Sequence, residues 1–156
     1  MLKRDADYRM NPPLREESDR AAIETAVLDG TIDCIVTDHA PHSAEEKRDF
    51  EKAPNGVVGL ETSLAATLTA LVHTGKMDLQ QLCRLMSGNP ARLLKVPGGR
   101  ISEGEVADLT IVDLGEQWTV VPEKLHSKSK NTVFKGKNLI GKVKMTLLRG
   151  NIVFED

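Results

Sequence analysis

Leu60, Leu64, Leu68 and Leu71 recur at spacings of four, four and three. This periodicity predicts a helix with one apolar face, stopped at Gly75. Ile23, Ala26 and Val27 predict a second helix, capped by Ser18 or a neighbouring acid and ended by Gly30. Asp78 is placed to cap a third, which carries Leu79, Leu82, Leu85 and Met86. Asn89 followed by Pro90 fits the N-cap and first-turn proline of a short helix through Leu94. Residues 32–36 have another texture. Ile-Asp-Cys-Ile-Val is close to continuously apolar and predicts a strand covered on both faces. Residues 8–10 predict a short strand ending at Asn11, because Pro12 and Pro13 cannot donate to a ladder. A charged, solvated loop runs from Ser43 to about Asn55. It closes on the turn-rich Pro54-Asn55-Gly56-Val57-Val58-Gly59.

After Pro97-Gly98-Gly99 the helical period disappears. Residues 106–112, 118–121, 143–148 and 152–154 predict strands, with Arg149-Gly150-Asn151 as a hairpin turn. The expected division is an α/β part over residues 1–96 and a small all-β part over 97–156.

The chain has 156 residues, the length of one ordinary domain. It can bury a core, but a complete (β/α)₈ barrel takes about 250 residues and does not fit. The formal net charge of −2 supplies no electrostatic reason to expect nucleic acid or an anionic membrane as partner. Aromatic residues make up 3% of the chain, too few for a base-stacking platform. Cys34 and Cys83 belong to no Cys-x-x-Cys pair and read as small buried hydrophobes in a reducing compartment. The charged start, Met1-Leu2-Lys3-Arg4-Asp5, lacks the apolar core of a signal peptide, and no stretch is long and apolar enough for a membrane. A cytoplasmic location is expected.

The candidate chemistry lies where the apolar residues 32–36 run into Thr37-Asp38-His39-Ala40-Pro41-His42. In parallel α/β folds ligands and metals bind at that end of a strand. A carboxylate there can ligate a metal or move a proton. By position alone, an Asx turn before Ala-Pro explains Asp38 as well. A second unusual run, Met10-Asn11-Pro12-Pro13-Leu14-Arg15, stands upstream, and the two runs in this order favour the chemical reading. Adjacent residues of a strand point to opposite faces. His39 is close enough in sequence to Asp38 and His42 to be a second ligand, but if Asp38 faces a site, His39 faces away, and it receives no role. His73 and His126 are expected on the surface; Arg15 is expected in a structural ion pair at a helix start, with substrate binding as the alternative.

Together the two runs resemble the dihydroorotases of the amidohydrolase superfamily, in their C-terminal part. The likeness extends over nearly the whole chain. It takes in Pro54 to Thr62, Asn89-Pro-Ala-Arg-Leu-Leu94 and Gly104-Glu-Val-Ala-Asp-Leu109. It implies the last strands and helices of a metal-dependent-hydrolase (β/α)₈ barrel, followed by a small β-sandwich-type domain. It also implies zinc in the complete enzyme. Asp38 would be a metal ligand and the base that deprotonates the metal-bound water. Asn11 and His42 would hold the substrate carboxylate, and Asn55 and Gly56 would contact the ring. Related dihydropyrimidinases and allantoinases usually carry another residue where Asn11 stands. The family's His-x-His pair, two further histidines, its bridging acid or modified lysine and a carboxylate-binding arginine have no counterpart in this chain.

The expected function is therefore that of a dihydroorotase fragment. The complete enzyme would interconvert dihydroorotate, a small-molecule substrate, and N-carbamoyl-L-aspartate in pyrimidine biosynthesis. The isolated chain would be inactive, hold zinc weakly and associate as a homo-oligomer through uncovered apolar surface. A catalytically dead structural module and another cyclic amidase are the alternatives.

Overall fold

A computed structural model describes residues 4–156. The first three residues of the charged N-terminus considered above lie outside the described residues. The chain divides into two units that interleave along the sequence. One takes the described residues up to Ile23, with Val36–Ser63 and Thr119–Asn138; the other takes Glu24–Ile35, Leu64–Trp118 and Leu139–Asp156.

The second unit holds a cluster of Val27, Leu68, Met77, Leu82 and Leu85, packed around by Ile32, Ile35, Leu64, Leu71 and others. These residues come mainly from three helical stretches. Helix α1 spans Glu17–Leu28. Glu17 and Asp19 lie in its first turn, where carboxylates favour the helix dipole. Arg15 reaches Asp19 at 3.1 Å, the ion pair expected at this helix start. Helix α2, Ser63–Thr67, runs on into the wider turns of Leu68–Val72, in which the His73 amide donates to the Leu68 carbonyl. The leucine face is therefore Leu64, Leu68 and Leu71. Leu60 precedes the helix and is 66% exposed. Helix α3, Leu79–Cys83, starts at Asp78, whose carboxylate accepts from the Gln81 amide as expected of an N-cap.

Between α3 and helix α4, Asn89–Leu94, the chain does not break. Arg84–Gly88 winds in wide π-type turns, and Asn89 keeps right-handed helical angles. Asn89 is thus not an N-cap; its side-chain amide donates to the Asp33 carbonyl at 2.8 Å. A wide turn tolerates the missing N–H of Pro90, which an ordinary helix interior would not.

Two expected strands are absent among the described residues. In the N-terminal stretch, Ala6–Tyr8 forms a 3₁₀ turn capped by Asp5. Residues 32–36 run without a ladder. Their amides go elsewhere: Ile32 donates to the Ala26 carbonyl and Ile35 to the Leu85 carbonyl. Ile32 and Ile35 still pack on the core, while Val36 is 76% exposed. Cys34 is half-buried and Cys83 exposed, so only the first keeps part of the burial expected of it.

The three strands β1 (Leu109–Thr119), β2 (Asn138–Leu148) and β3 (Asn151–Glu155) lie in that order in one sheet. Two of the expected strands are one. Asp113 accepts from the Gly115 and Glu116 amides, so β1 kinks there without ending. β2 and β3 pair antiparallel across Arg149-Gly150. Both turn residues have positive φ, 51° and 78°, as a two-residue hairpin turn requires. Asp108 fixes Arg149 by accepting its amide at 2.7 Å. On the sheet Lys142 and Lys144 both bond Asp156, and their ammonium groups hold its carboxyl at a pKa of about 2. No helix among the described residues is long and apolar enough to cross a membrane.

Candidate active site

All the candidate residues named from the sequence fall in the first unit. Its scaffold is two irregular segments held side by side, residues 37–42 and 54–59. The Ala40 amide donates to the Val57 carbonyl at 2.9 Å. At Gly56 there is no room for a side chain. A Cβ on Gly56 would stand 2.5 Å from that of Ala40, and Gly56 has φ +107°. Glycine is the residue that accepts both conditions.

A third segment binds these two together. Asn131 is 6% exposed. Its side-chain amide donates to the carbonyls of Ala40 (3.1 Å) and Gly56 (3.3 Å), and its Oδ1 accepts from the His42 amide at 3.1 Å. Two carbonyls on one side and an N–H on the other fix which way the amide faces. The Asn131 carbonyl also accepts from the Val58 amide. Sequence reasoning missed this residue. Replacing it with Asp keeps the shape but removes both donors and sets a carboxylate against two carbonyls. Asn131→Asp should cost about 1–3 kcal/mol, the usual penalty for buried groups left unpaired. Urea unfolding that gives the wild-type midpoint would show that the clamp contributes nothing.

Arg9 and Lys47 organise the other end. Arg9 donates to the Asn55 side-chain oxygen (3.2 Å) and to the Phe50 carbonyl, and its own carbonyl accepts from the Gly56 amide. Lys47 donates to the Pro54 carbonyl at 2.9 Å. Partial burial pulls the Lys47 ammonium below the ordinary lysine value, against the field of Asp7. Burial also raises the Asp7 carboxyl, helped by Asp5. Glu61 accepts from the backbone amides of His126 and Ser127 and from the His126 ring. Burial alone would raise its pKa; these hydrogen bonds outweigh burial and bring it below the ordinary value.

Asp38 is exposed, with φ +42°. Asp tolerates this left-handed conformation better than most residues. His39 is half-buried, and its Nδ1 accepts from the Gly59 and Leu60 amides at 3.1 and 3.4 Å. His42 Nε2 donates to the Asn55 carbonyl at 3.0 Å. His42, Asn55 and Gly56 are therefore joined by direct bonds or through Asn131. Asn11 is exposed and lies two residues after Arg9 in the chain. His73 and His126 are exposed; the His73 ring bonds the Leu114 carbonyl.

Catalytic zinc takes three protein ligands and an open position. Among the described residues no three His, Cys, Asp or Glu side chains gather as such a set. The donors among the described residues do not by themselves fit a metal.

A family model for the amidohydrolase family matches residues 6–153, and the chain belongs to that family. Within it, the chain is 50% identical to the dihydroorotase of Clostridioides difficile (strain 630) over 99% of its own length. It is 48% identical to the dihydroorotase of Clostridium acetobutylicum over its whole length. It covers 36% and 37% of those proteins, so it spans about a third of the relatives it matches. Among solved structures, the dihydropyrimidinase from Brevibacillus agri NCHU1002 superposes with a TM-score of 0.89 at 30% identity, over 96% of this chain and 34% of that one.

Proposed function

We propose that this chain is the C-terminal part of a dihydroorotase, acting in pyrimidine biosynthesis in the cytoplasm. The observation that carries the reading is the 50% identity to a dihydroorotase over 99% of the chain. In the complete protein, residues 1–96 would belong to a (β/α)₈ barrel, with 32–36 its last strand, and 97–156 to a small β domain. The bonds of the Ile32 and Ile35 amides to the Ala26 and Leu85 carbonyls, in place of a ladder, would then be a property of the chain on its own. Self-association of the isolated chain belongs to the same reading, since Val36, Ile111, Ile152 and Val153 are exposed apolar side chains.

The reaction adds water to a ring carbonyl and breaks its bond to the ring nitrogen. The water oxygen ends in the new carboxylate, one of its protons ends on the departing nitrogen, and the other is released to solvent. Asp38 is the group proposed to carry that proton, taking it from the attacking water and returning it to nitrogen. The zinc of the complete protein would draw its remaining ligands from outside these 156 residues. Asn11 and His42 are proposed to hold the substrate carboxylate, with Asn55 and Gly56 against the ring. A carboxylate needs donors. In a neutral His42 the donor is Nε2–H, which already serves the Asn55 carbonyl. Substrate would take over that hydrogen.

A second reading, hydrolysis of an uncharged cyclic amide, is favoured by the likeness to the dihydropyrimidinase structure. A substrate panel on the full-length protein separates them. Dihydroorotate should be preferred over dihydrouracil, which lacks the carboxylate, by about 10- to 100-fold in kcat/KM, the worth of charge-assisted hydrogen bonds. Faster turnover of dihydrouracil or hydantoin would move the assignment to the second reading. No turnover of any ring would leave a dead module.

A further inference from the structure

The left-handed backbone of Asp38 is gripped on both sides by one glycine. On one side stands Thr37. A methyl group built on Gly59 would come within 3.2 Å of both the Thr37 Cβ and the Thr37 carbonyl oxygen, so these two residues are already in close contact. On the other side stands His39, whose Nδ1 accepts from the Gly59 amide at 3.1 Å and from the Leu60 amide at 3.4 Å. Both partners are backbone N–H groups, so Nδ1 carries a lone pair and the proton of the neutral ring sits on Nε2. The ring is thus a structural acceptor, tied to the turn just ahead of α2.

A non-glycine residue with positive φ persists only where its surroundings over-determine it. At Asp38 the surroundings are Thr37, packed close against Gly59, and His39, hydrogen-bonded to it. We propose that His39 is a positioning residue: by accepting the Gly59 and Leu60 amides it holds Asp38 in its left-handed conformation and so aims the carboxylate. The proposal rests on the reading of Asp38 as the proton carrier.

The test uses three variants of the full-length protein. His39→Asn places Oδ1 as many bonds from Cα as Nδ1 and can accept the same two amides. His39→Gln carries its acceptor one bond too far, and His39→Ala has none. Misplacing a reacting group by about 1 Å can cost about 10²-fold, so the Ala and Gln variants should lose about 10- to 100-fold in kcat with KM little changed. The Asn variant should recover most of the loss. Hydrogen exchange of the peptide containing Gly59 and Leu60 should quicken in the Ala and Gln variants and stay slow in the Asn variant. An Ala variant with wild-type kcat would overturn the proposal, as would unchanged exchange or an equal rise in KM and fall in kcat. A wild-type protein that turns over no dihydroorotate would instead reject the functional reading. The exchange comparison would still decide whether His39 holds this turn.

Discussion

Replacing Asp38 with Asn in the full-length protein is expected to lower turnover by about 10²–10⁴-fold, the usual worth of a general base, with the fold intact. Asn is the informative substitution because of the backbone. Asp38 has φ +42°, and Asn adopts the left-handed region about as readily as Asp. The variant therefore keeps the shape and the conformation and loses the charge, and with it the proton acceptor and the anionic metal ligand. Alanine would confound the result, since its Cβ disfavours that region. The measurement is kcat and KM for dihydroorotate, with circular dichroism to confirm the fold. Turnover within a few-fold of wild type would remove Asp38 from the chemistry.

Gly56→Ala should be among the most damaging single changes to the structure itself. Two costs combine there. The residue has φ +107°, where alanine destabilises by more than about 1 kcal/mol. The new methyl would also stand 2.5 Å from the Ala40 Cβ, inside any real contact distance. Gly56 cannot shift freely, because its amide is held by Arg9 and its carbonyl by Asn131. Gly75→Ala supplies the comparison, since Gly75 has φ +73° with nothing within 4 Å of the added methyl. Urea unfolding should show a clearly larger loss for Gly56→Ala. Equal losses would mean that the two segments part at no cost.

The features legible in the sequence are those that repeat or that need a special residue. The leucine face of α2, the Asp78 cap and the Arg149-Gly150 turn each follow from local spacing or backbone freedom. The run from Thr37 to His42 also stood out, because acids and histidines are unusual after apolar residues. What was not legible depends on distant partners. Residues 32–36 have the composition of a strand, but a ladder needs a neighbour, and their amides bond helical segments instead. Pro90 does stand in the first turn of α4, but Asn89 is helical rather than its N-cap, because the wide turns before it leave no mark in the sequence. Alternation of side chains along a strand gives His39 no role. Alternation presupposes extended backbone, and the left-handed angle at Asp38 breaks it. Asn131 carries no periodic signal at all; one buried amide is recognisable only when its three partners are in view.

Those partners set a timetable. Asn131 is separated from His42 by 89 positions and from Ala40 by 91. During synthesis from the N-terminus, the segments carrying Asp38 and Gly56 emerge long before the amide that fastens them. Closing so wide a loop is entropically costly, and contacts of this separation form late. The candidate site would thus be among the last parts of the first unit to set. A nascent or nicked chain that ends before residue 131 would carry the candidate residues of the site without the buried amide that clamps Ala40, His42 and Gly56 together.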